Sequence, residues 1–297
     1  VSTIRQLLVE GQGRLTASGS ESPRLDVELL LAHALGSERT AVIAHPDAPV
    51  GADAETLFRG ALDRRAAGEP VAYIRGFKEF HGLAFATDPR ALIPRPDTEV
   101  LVELAIDQVV RVLTGGEPFS TRSPLSVVDV GTGAGTVAIS LGVALRRRRM
   151  LGDVEILGTD VDPSTLALAI ENAVGHGVAD RVRFVEADLL PPVIARPFRL
   201  LTANLPYIPS AEVDRLPVAA SFEPRAALDG GPDGLDLVRR LLERLPDALD
   251  ERGTALLEIG ADQADAVRTA VLERLPGWRM RLHDDLAGRP RVARVER

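Results

Sequence analysis

Apolar positions fall into three successive patterns along the chain. From the first residue to about residue 68 they recur at helical spacing. Ile4, Leu7, Leu8 and Leu15 form one stripe. Ser22-Pro23 reads as a helix start, with Ser at the N-cap and Pro at the first helical position. It opens PRLDVELLLAHAL, which Gly36 closes, and a further helix, ADAETLFRGALDRRAAG, ends at Gly68. Residues 1–69 are therefore expected to form a small helical domain without chemistry of its own. Over 70–96 the pattern changes. VAYIRG and LAFATD carry β-branched and aromatic residues, with Gly76 and Gly82 between them, and predict a β-hairpin joining two domains. Pro94 and Pro96 then hold the chain extended, and Asp97 or Thr98 is expected to cap a helix beginning near Glu99.

From residue 97 to 297 short apolar strands alternate with helical patterns. SVVDV, VEILGTD, RVRFVEAD, FRLLTAN and TALLEIG are the strands. TVAISLGVAL, PSTLALAIENA and LDLVRRLLERLPDAL are among the helices. A helix over 262–275, then WRMRLHDD and PRVARVE, adds two strands at one edge. Such alternation means a mostly parallel sheet covered by helices on both faces. The fold class is thus α/β: a Rossmann-like, seven-stranded domain behind a helical one. No repeat at solenoid periods is visible.

Composition narrows the function. The chain has 297 residues, 45% of them apolar, enough to fill a core in each of two domains. It contains no cysteine, which excludes disulfides, thiolate nucleophiles and thiolate metal sites. The five histidines, 33, 45, 81, 176 and 283, show no ligand spacing, so no metal is expected. There is no uncharged apolar run long enough to span a membrane, and the first residues do not read as a secretory signal. The expectation is a cytoplasmic protein acting as a monomer. The net charge of −8 speaks against a protein that grips nucleic acid by its phosphates. The basic run Arg146 to Arg149 ends a helix, where cations suit the dipole, and reads as a solvated terminus.

In open parallel sheets ligands bind beyond the carboxyl ends of the strands. The residues there share one character. After the first strand of the large domain comes Gly131-Thr132-Gly133-Ala134-Gly135, a turn that lets the backbone approach a ligand closely. A dinucleotide site would place its last glycine where Thr136 stands. The spacing instead fits S-adenosylmethionine, which has no phosphate to receive. Asp160 ends the second strand, where a carboxylate accepts from both hydroxyls of a ribose, while Asp162, before Pro163, suits an N-cap. After the third strand, Asp188 could accept from an adenine amino group with Leu189 covering the ring; a solvated loop aspartate fits Asp188 as well. After the fourth strand comes Asn204-Leu205-Pro206-Tyr207. The nitrogen of an amide or an aromatic amine is a poor nucleophile because its lone pair is delocalised. An enzyme can hold both its N–H groups, here with the Asn204 side-chain oxygen and the Leu205 carbonyl, and so aim it. Pro206 stiffens this turn and Tyr207 offers a flat wall. Taken alone the tetrapeptide is equally an Asx-Pro turn. Beside the glycine turn and Asp160 it reads as a methyl-transfer site of the class I type.

These stretches resemble the bacterial release-factor glutamine methyltransferase family, the protein N5-glutamine methyltransferases called PrmC or HemK. The resemblance covers nearly the whole chain. It is carried by PVAYIRGFKEFHGLAFA from Pro70, LIPRPDTE at 92–99, DVGTGAGTVAISL at 129–141, NLPYIP at 204–209, FEPRAALDGGPDGL at 222–235 and LLEIG at 256–260. It implies methyl transfer from S-adenosylmethionine to the glutamine amide of a Gly-Gly-Gln motif in class 1 peptide chain release factors. It also implies cofactor binding by Gly131 to Gly135 and Asp160, with Leu189 on the adenine. Asn204 to Tyr207 would clamp the glutamine, the IPRPDTE stretch would line the mouth of the site, and the helical domain would dock the release factor. One position departs from the family's N-P-P-Y: Leu205 stands where the first proline would be. N-L-P-Y also resembles adenine-N6 methyltransferases of RNA, which leaves a nucleic-acid substrate as the alternative.

Overall fold

The computed structural model describes residues 1–115 and 123–297. Contacts divide the described chain into two units, residues 1–78 with 216–223, and residues 79–215 with 224–297.

The first unit is built from helices α1 (Ile4–Ala17), α2 (Pro23–Ala34), α3 (Arg39–Ala44), α4 (Ala52–Ala66) and α5 (Val71–Arg75). Leu7, Leu15, Leu30, Leu31, Phe58 and Leu62 are fully enclosed in its core. α1 starts with a capping box, in which Thr3 accepts from the Gln6 N–H and Gln6 returns the bond. Ser22 stands at the N-cap of α2, as expected, but makes no capping bond. Its hydroxyl donates to Asp26, a buried carboxylate that also holds Ser20 and Arg65.

The hairpin corrects the sequence reading. VAYIR is helix, not strand: Ala72, Tyr73 and Ile74 are buried, and Gly76 ends the helix in the left-handed conformation. Apolar residues in so short a segment carry no readable period, and Gly76 is a helix stop where a strand-flanking turn was expected. The strands are β1 (Phe77–Phe80) and β2 (Leu83–Ala86), turned through His81 and Gly82, both at positive φ.

The second unit centres on a seven-stranded sheet. Its strands are β3 (Leu125–Val130), β4 (Val154–Asp160), β5 (Val182–Glu186), β6 (Phe198–Ala203), β7 (Leu249–Glu258), β8 (Arg279–Asp284) and β9 (Pro290–Glu296), in the order β5-β4-β3-β6-β7-β9-β8. The first five are parallel; β9 and β8 close the edge antiparallel. Helices α6 (Glu99–Thr114), α7 (Thr136–Arg147) and α8 (Pro163–Gly175) follow the hairpin, β3 and β4; α9 (Ser210–Val213), α10 (Asp236–Ala248) and α11 (Ala264–Arg274) lie further on. Two apolar clusters flank the sheet, one around α6 and α7, the other around α10 and α11. β3 and β6 are almost wholly buried, which is why they read as continuous apolar runs. Strand order reverses between β3 and β6, which places a crevice at their carboxyl ends. Among the described residues no helix is long and apolar enough to cross a membrane.

Candidate functional site

The crevice opens on the residues that follow β3, β4, β5 and β6. Gly131, Thr132, Gly133, Asp160, Leu189 and Asn204 line one cavity, together with Ala134, Asp188, Leu205 and Pro206. Gly135 and Tyr207 are not part of that lining. The stretch before α6 enters the same cavity through Ile93, Pro94, Arg95 and Thr98.

The glycine turn is held from below. Asp129, fully buried at the end of β3, accepts from the Thr132 hydroxyl and the Thr202 hydroxyl, each at 2.7 Å. Burial pushes its carboxyl up to about 6, against the pull of those two hydroxyls. The Thr132 N–H donates to the Thr159 carbonyl at 2.8 Å, tying the turn to β4. Gly131 shows why a side chain is excluded: a Cβ there would lie 2.9 Å from Leu205 Cδ2, at a φ of +67°. The loop after β6 thus packs directly on the turn, and Leu205 is 5% exposed.

Asp160 is partly buried. It accepts from the Gly133 N–H at 3.0 Å and from the Asp162 N–H at 3.1 Å, one on each carboxylate oxygen. Both oxygens keep a second lone pair, and the two bonds fix their direction. Burial is the main cause raising its carboxyl above the usual range. Asp162 caps α8 as expected, accepting from the Ser164 N–H at 2.8 Å. Leu189 is buried at a φ of +64°, a costly conformation for a branched side chain, and its carbonyl accepts from the Thr159 hydroxyl at 2.6 Å. Asp188 is exposed, with one carboxylate oxygen on Arg240 at 2.6 Å. That pairing leaves its other oxygen for a ligand.

At the end of β6 the Asn204 side-chain N–H donates to the Thr98 hydroxyl at 3.0 Å. The amide oxygen is therefore the group left to act as acceptor. Thr98 was expected as a helix cap. It occupies that position, but its hydroxyl makes no cap bond and serves Asn204 instead. The loop beyond is braced from behind. The Tyr207 carbonyl accepts from Gln263 at 2.9 Å, and Ile208 bridges to Asp229. Gly230 lies so close that a Cβ there would stand 2.5 Å from the Pro206 carbonyl oxygen, so the DGGPDG stretch packs against this loop. Tyr207 is half-buried, and burial, then the Glu258 charge, raises its phenol.

Three contributors escaped the sequence reading. Asn172 of α8 pairs with both the N–H and the carbonyl of Ala86 and also donates to the Ala134 carbonyl, joining β2 to the glycine turn. Glu258 ends β7 at 1% exposure, and neither carboxylate oxygen has a hydrogen-bond partner. Arg291 of β9, 7% exposed, is paired with Asp97 at 2.9 Å and Asp285 at 3.5 Å. A lone acid inside the apolar run ALLEIG was the available signal for Glu258. Asn172 and Arg291 gave none, because their partners are remote in sequence.

Comparison with known proteins follows the same lines. Residues 6–76 match the model of the PrmC N-terminal domain. The chain is 41% identical over 266 residues to the release factor glutamine methyltransferase of Moorella thermoacetica, covering 90% of this chain and 88% of that one. It is 37% identical over 294 residues to the protein of the same name from Deinococcus radiodurans, covering 99% and 98%. Among solved structures, the hMettl16 catalytic domain in complex with MAT2A 3'UTR hairpin 6 superposes with a TM-score of 0.55 at 14% identity, over 80% of this chain and 81% of that one. That likeness is one of fold.

Two stability effects are expected from this geometry. Leu205→Pro removes the side chain packed on Gly131 and should cost about 1–3 kcal/mol; an unchanged urea midpoint would show that the contact carries no weight. Glu258 has its carboxyl pushed by burial up to about 7, with the Thr98 hydroxyl and the Arg291 charge opposing. A carboxyl raised on folding contributes stability that is complete below its unfolded pKa of 4.5 and lost as pH rises through about 7. Glu258→Gln should abolish that loss, on the order of 3 kcal/mol between pH 4 and pH 8. Thermal unfolding across that range checks it, and an equal pH slope in both proteins would refute it.

Proposed function

The chain belongs to the release factor glutamine methyltransferase family, and on that premise we propose how its site works: the Asn204 loop presents a glutamine amide nitrogen to the methyl donor S-adenosylmethionine. The substrate is the glutamine of the Gly-Gly-Gln motif in class 1 peptide chain release factors, met in the cytoplasm by a single chain.

The observation that carries this reading is the Asn204 amide. Its nitrogen is engaged by Thr98, which leaves its oxygen as the acceptor on a residue that lines the cavity beside the glycine turn. An amide NH2 offers two donors. The Asn204 side-chain oxygen takes one and the Leu205 carbonyl takes the other, which orients the nitrogen without deprotonating it. Leu205 can stand where the family has proline because that contact uses the main chain. Pro206 limits the turn, and Tyr207 supplies a flat surface for the planar group.

The other residues fit the donor. The bare backbone from Gly131 to Gly135 suits its amino-acid portion, and the fixed Asp160 carboxylate suits two ribose hydroxyls. Leu189 offers an apolar face to the adenine, with Asp188 at its edge. S-adenosylmethionine supplies a methyl group on a positively charged sulfur. A pocket that excludes water and holds the acceptor nitrogen still does the remainder. A target adenine amine would present a similar NH2, but the family membership favours the protein substrate.

Asn204→Ala is expected to reduce methyl transfer to background while cofactor affinity stays within a few-fold. Near-normal turnover would refute the clamp. Asp160→Ala should weaken cofactor binding by about 1.5–3 kcal/mol, read by calorimetry; unchanged affinity would assign the ribose to another residue. Incubation with cofactor labelled in the methyl group should place label in the release factor glutamine. Label entering RNA and not the release factor would overturn the substrate assignment.

A further inference from the structure

We propose that Glu258 is a positioning residue for methyl transfer, acting through the Thr98 hydroxyl to hold the Asn204 amide with its oxygen toward the cavity; the inference rests on the reading of Asn204 as the amide clamp.

The register of the sheet brings the groups together. β6 and β7 pair in parallel with Ala203 opposite Leu257. The next residues on the two strands are Asn204 and Glu258, level with each other and on the same face, since side chains alternate along both. α6 covers that face, and Thr98 immediately precedes it at 4% exposure. A hydroxyl has one proton to give and two lone pairs. Thr98 already accepts from Asn204 at 3.0 Å. Its own proton needs an acceptor, and the enclosed Glu258 carboxyl is near enough for the hydroxyl to favour its charged form. Neither Glu258 oxygen has a hydrogen-bond partner at ordinary distance, so both are open to that proton.

The polarity of this chain of groups explains an acid at this place. An ionised carboxylate only accepts. It obliges Thr98 to donate to it, which leaves Thr98 lone pairs for the Asn204 N–H and turns the Asn204 oxygen outward. A protonated carboxyl can donate to Thr98. The hydroxyl is then free to turn toward Asn204 as a donor, and the amide is free to flip. The charged and titratable groups around Glu258 are Arg291 of β9, Asp97 in the turn before α6, and Tyr207 of the clamp loop. Arg291 is shared with Asp97 and Asp285, so it does not neutralise Glu258 by a direct pair.

The test compares Glu258→Gln, Glu258→Leu, Thr98→Val and Thr98→Ser in the full chain. The side-chain amide signals of Asn204 are followed by 15N NMR, without substrate, from pH 5.5 to 8.5. The kcat and KM for a release factor are measured alongside. In the wild type the Asn204 signals should titrate together with kcat, which rises with pH. Glu258→Leu and Thr98→Val should shift those signals, remove their titration and lower kcat about a hundredfold, the scale set by a misplaced reacting group, with little change in KM for the cofactor. Thr98→Ser should restore both. Glu258→Gln can donate as well as accept, as the protonated acid can, and should abolish the pH dependence while holding the Asn204 signals and kcat at their low-pH values. Asn204 signals indifferent to Glu258→Leu, or a Thr98→Ser protein no better than Thr98→Val, would overturn the proposal. Because the NMR arm needs no substrate, it decides the matter even if the release factor proves not to be the target.

Discussion

Parallel strands that end at one level are the constraint on which the site is built. Val130 of β3 lies opposite Thr159 of β4 and Ala203 of β6, and Ala203 lies opposite Leu257 of β7. Each strand therefore releases its next residues along the same line. Gly131, Asp160, Asn204 and Glu258 come from stretches far apart in the chain and meet there because the hydrogen-bond ladder sets their heights. A one-residue slip of β6 would send Asn204 to the opposite face of the sheet and separate it from Thr98. The buried apolar residues on both faces of β3 and β6 are what forbid such a slip.

That origin decides what the sequence could disclose. Strands buried on both faces, such as β3 and β6, announce themselves as apolar runs, and the more exposed β5 and β8 were legible by their place in the alternation; the strand order was not. Gly131 to Gly135, Asp160 and Asn204 were legible because each follows a strand directly, and the structure gathers all of them but Gly135 around one cavity. VAYIR was misread because five residues are too few for a helical period to show and Gly76 serves either kind of ending. Thr98 could be placed at the head of α6 but not assigned, since its partner Asn204 lies 106 positions on. Arg291 and Asn172 were silent for the same reason. A residue's own neighbours reveal its backbone role, while its side-chain partners are fixed by topology.

The departure at Leu205 shows how such topology permits variation. The family proline at this place would stiffen the loop from within. Here the leucine side chain instead anchors the loop from without, reaching the bare Cα of Gly131. The bare Cα of Gly230 packs against the Pro206 carbonyl, and the Gln263 side chain donates to the Tyr207 carbonyl. Rigidity of a loop needs its backbone to have few alternatives, and packing supplies this as well as a ring does. The same contact links the glycine turn and the Asn204 loop: the two share a van der Waals surface, so a displacement of either is felt by the other.

Two carboxyl groups lie buried at the carboxyl edge of the sheet, and they are solved differently. Asp129 has a hydroxyl on each oxygen and is held up only to about 6 by its burial. It braces the turn and could do so in either protonation state. Glu258 has no ordinary hydrogen bond on either oxygen, only the neighbouring Thr98 hydroxyl favouring its charged form, and is pushed further, to about 7. An unsatisfied acid in a core is unfavourable for folding, and replacing it by an apolar residue of similar volume would ordinarily stabilise the chain. Its presence at the level of Asn204, behind the hydroxyl that Asn204 holds, is what folding alone does not explain. A group that costs stability at the pH where it ionises, set level with Asn204 and beside Thr98, accords better with the proposed positioning role than with a role in the fold.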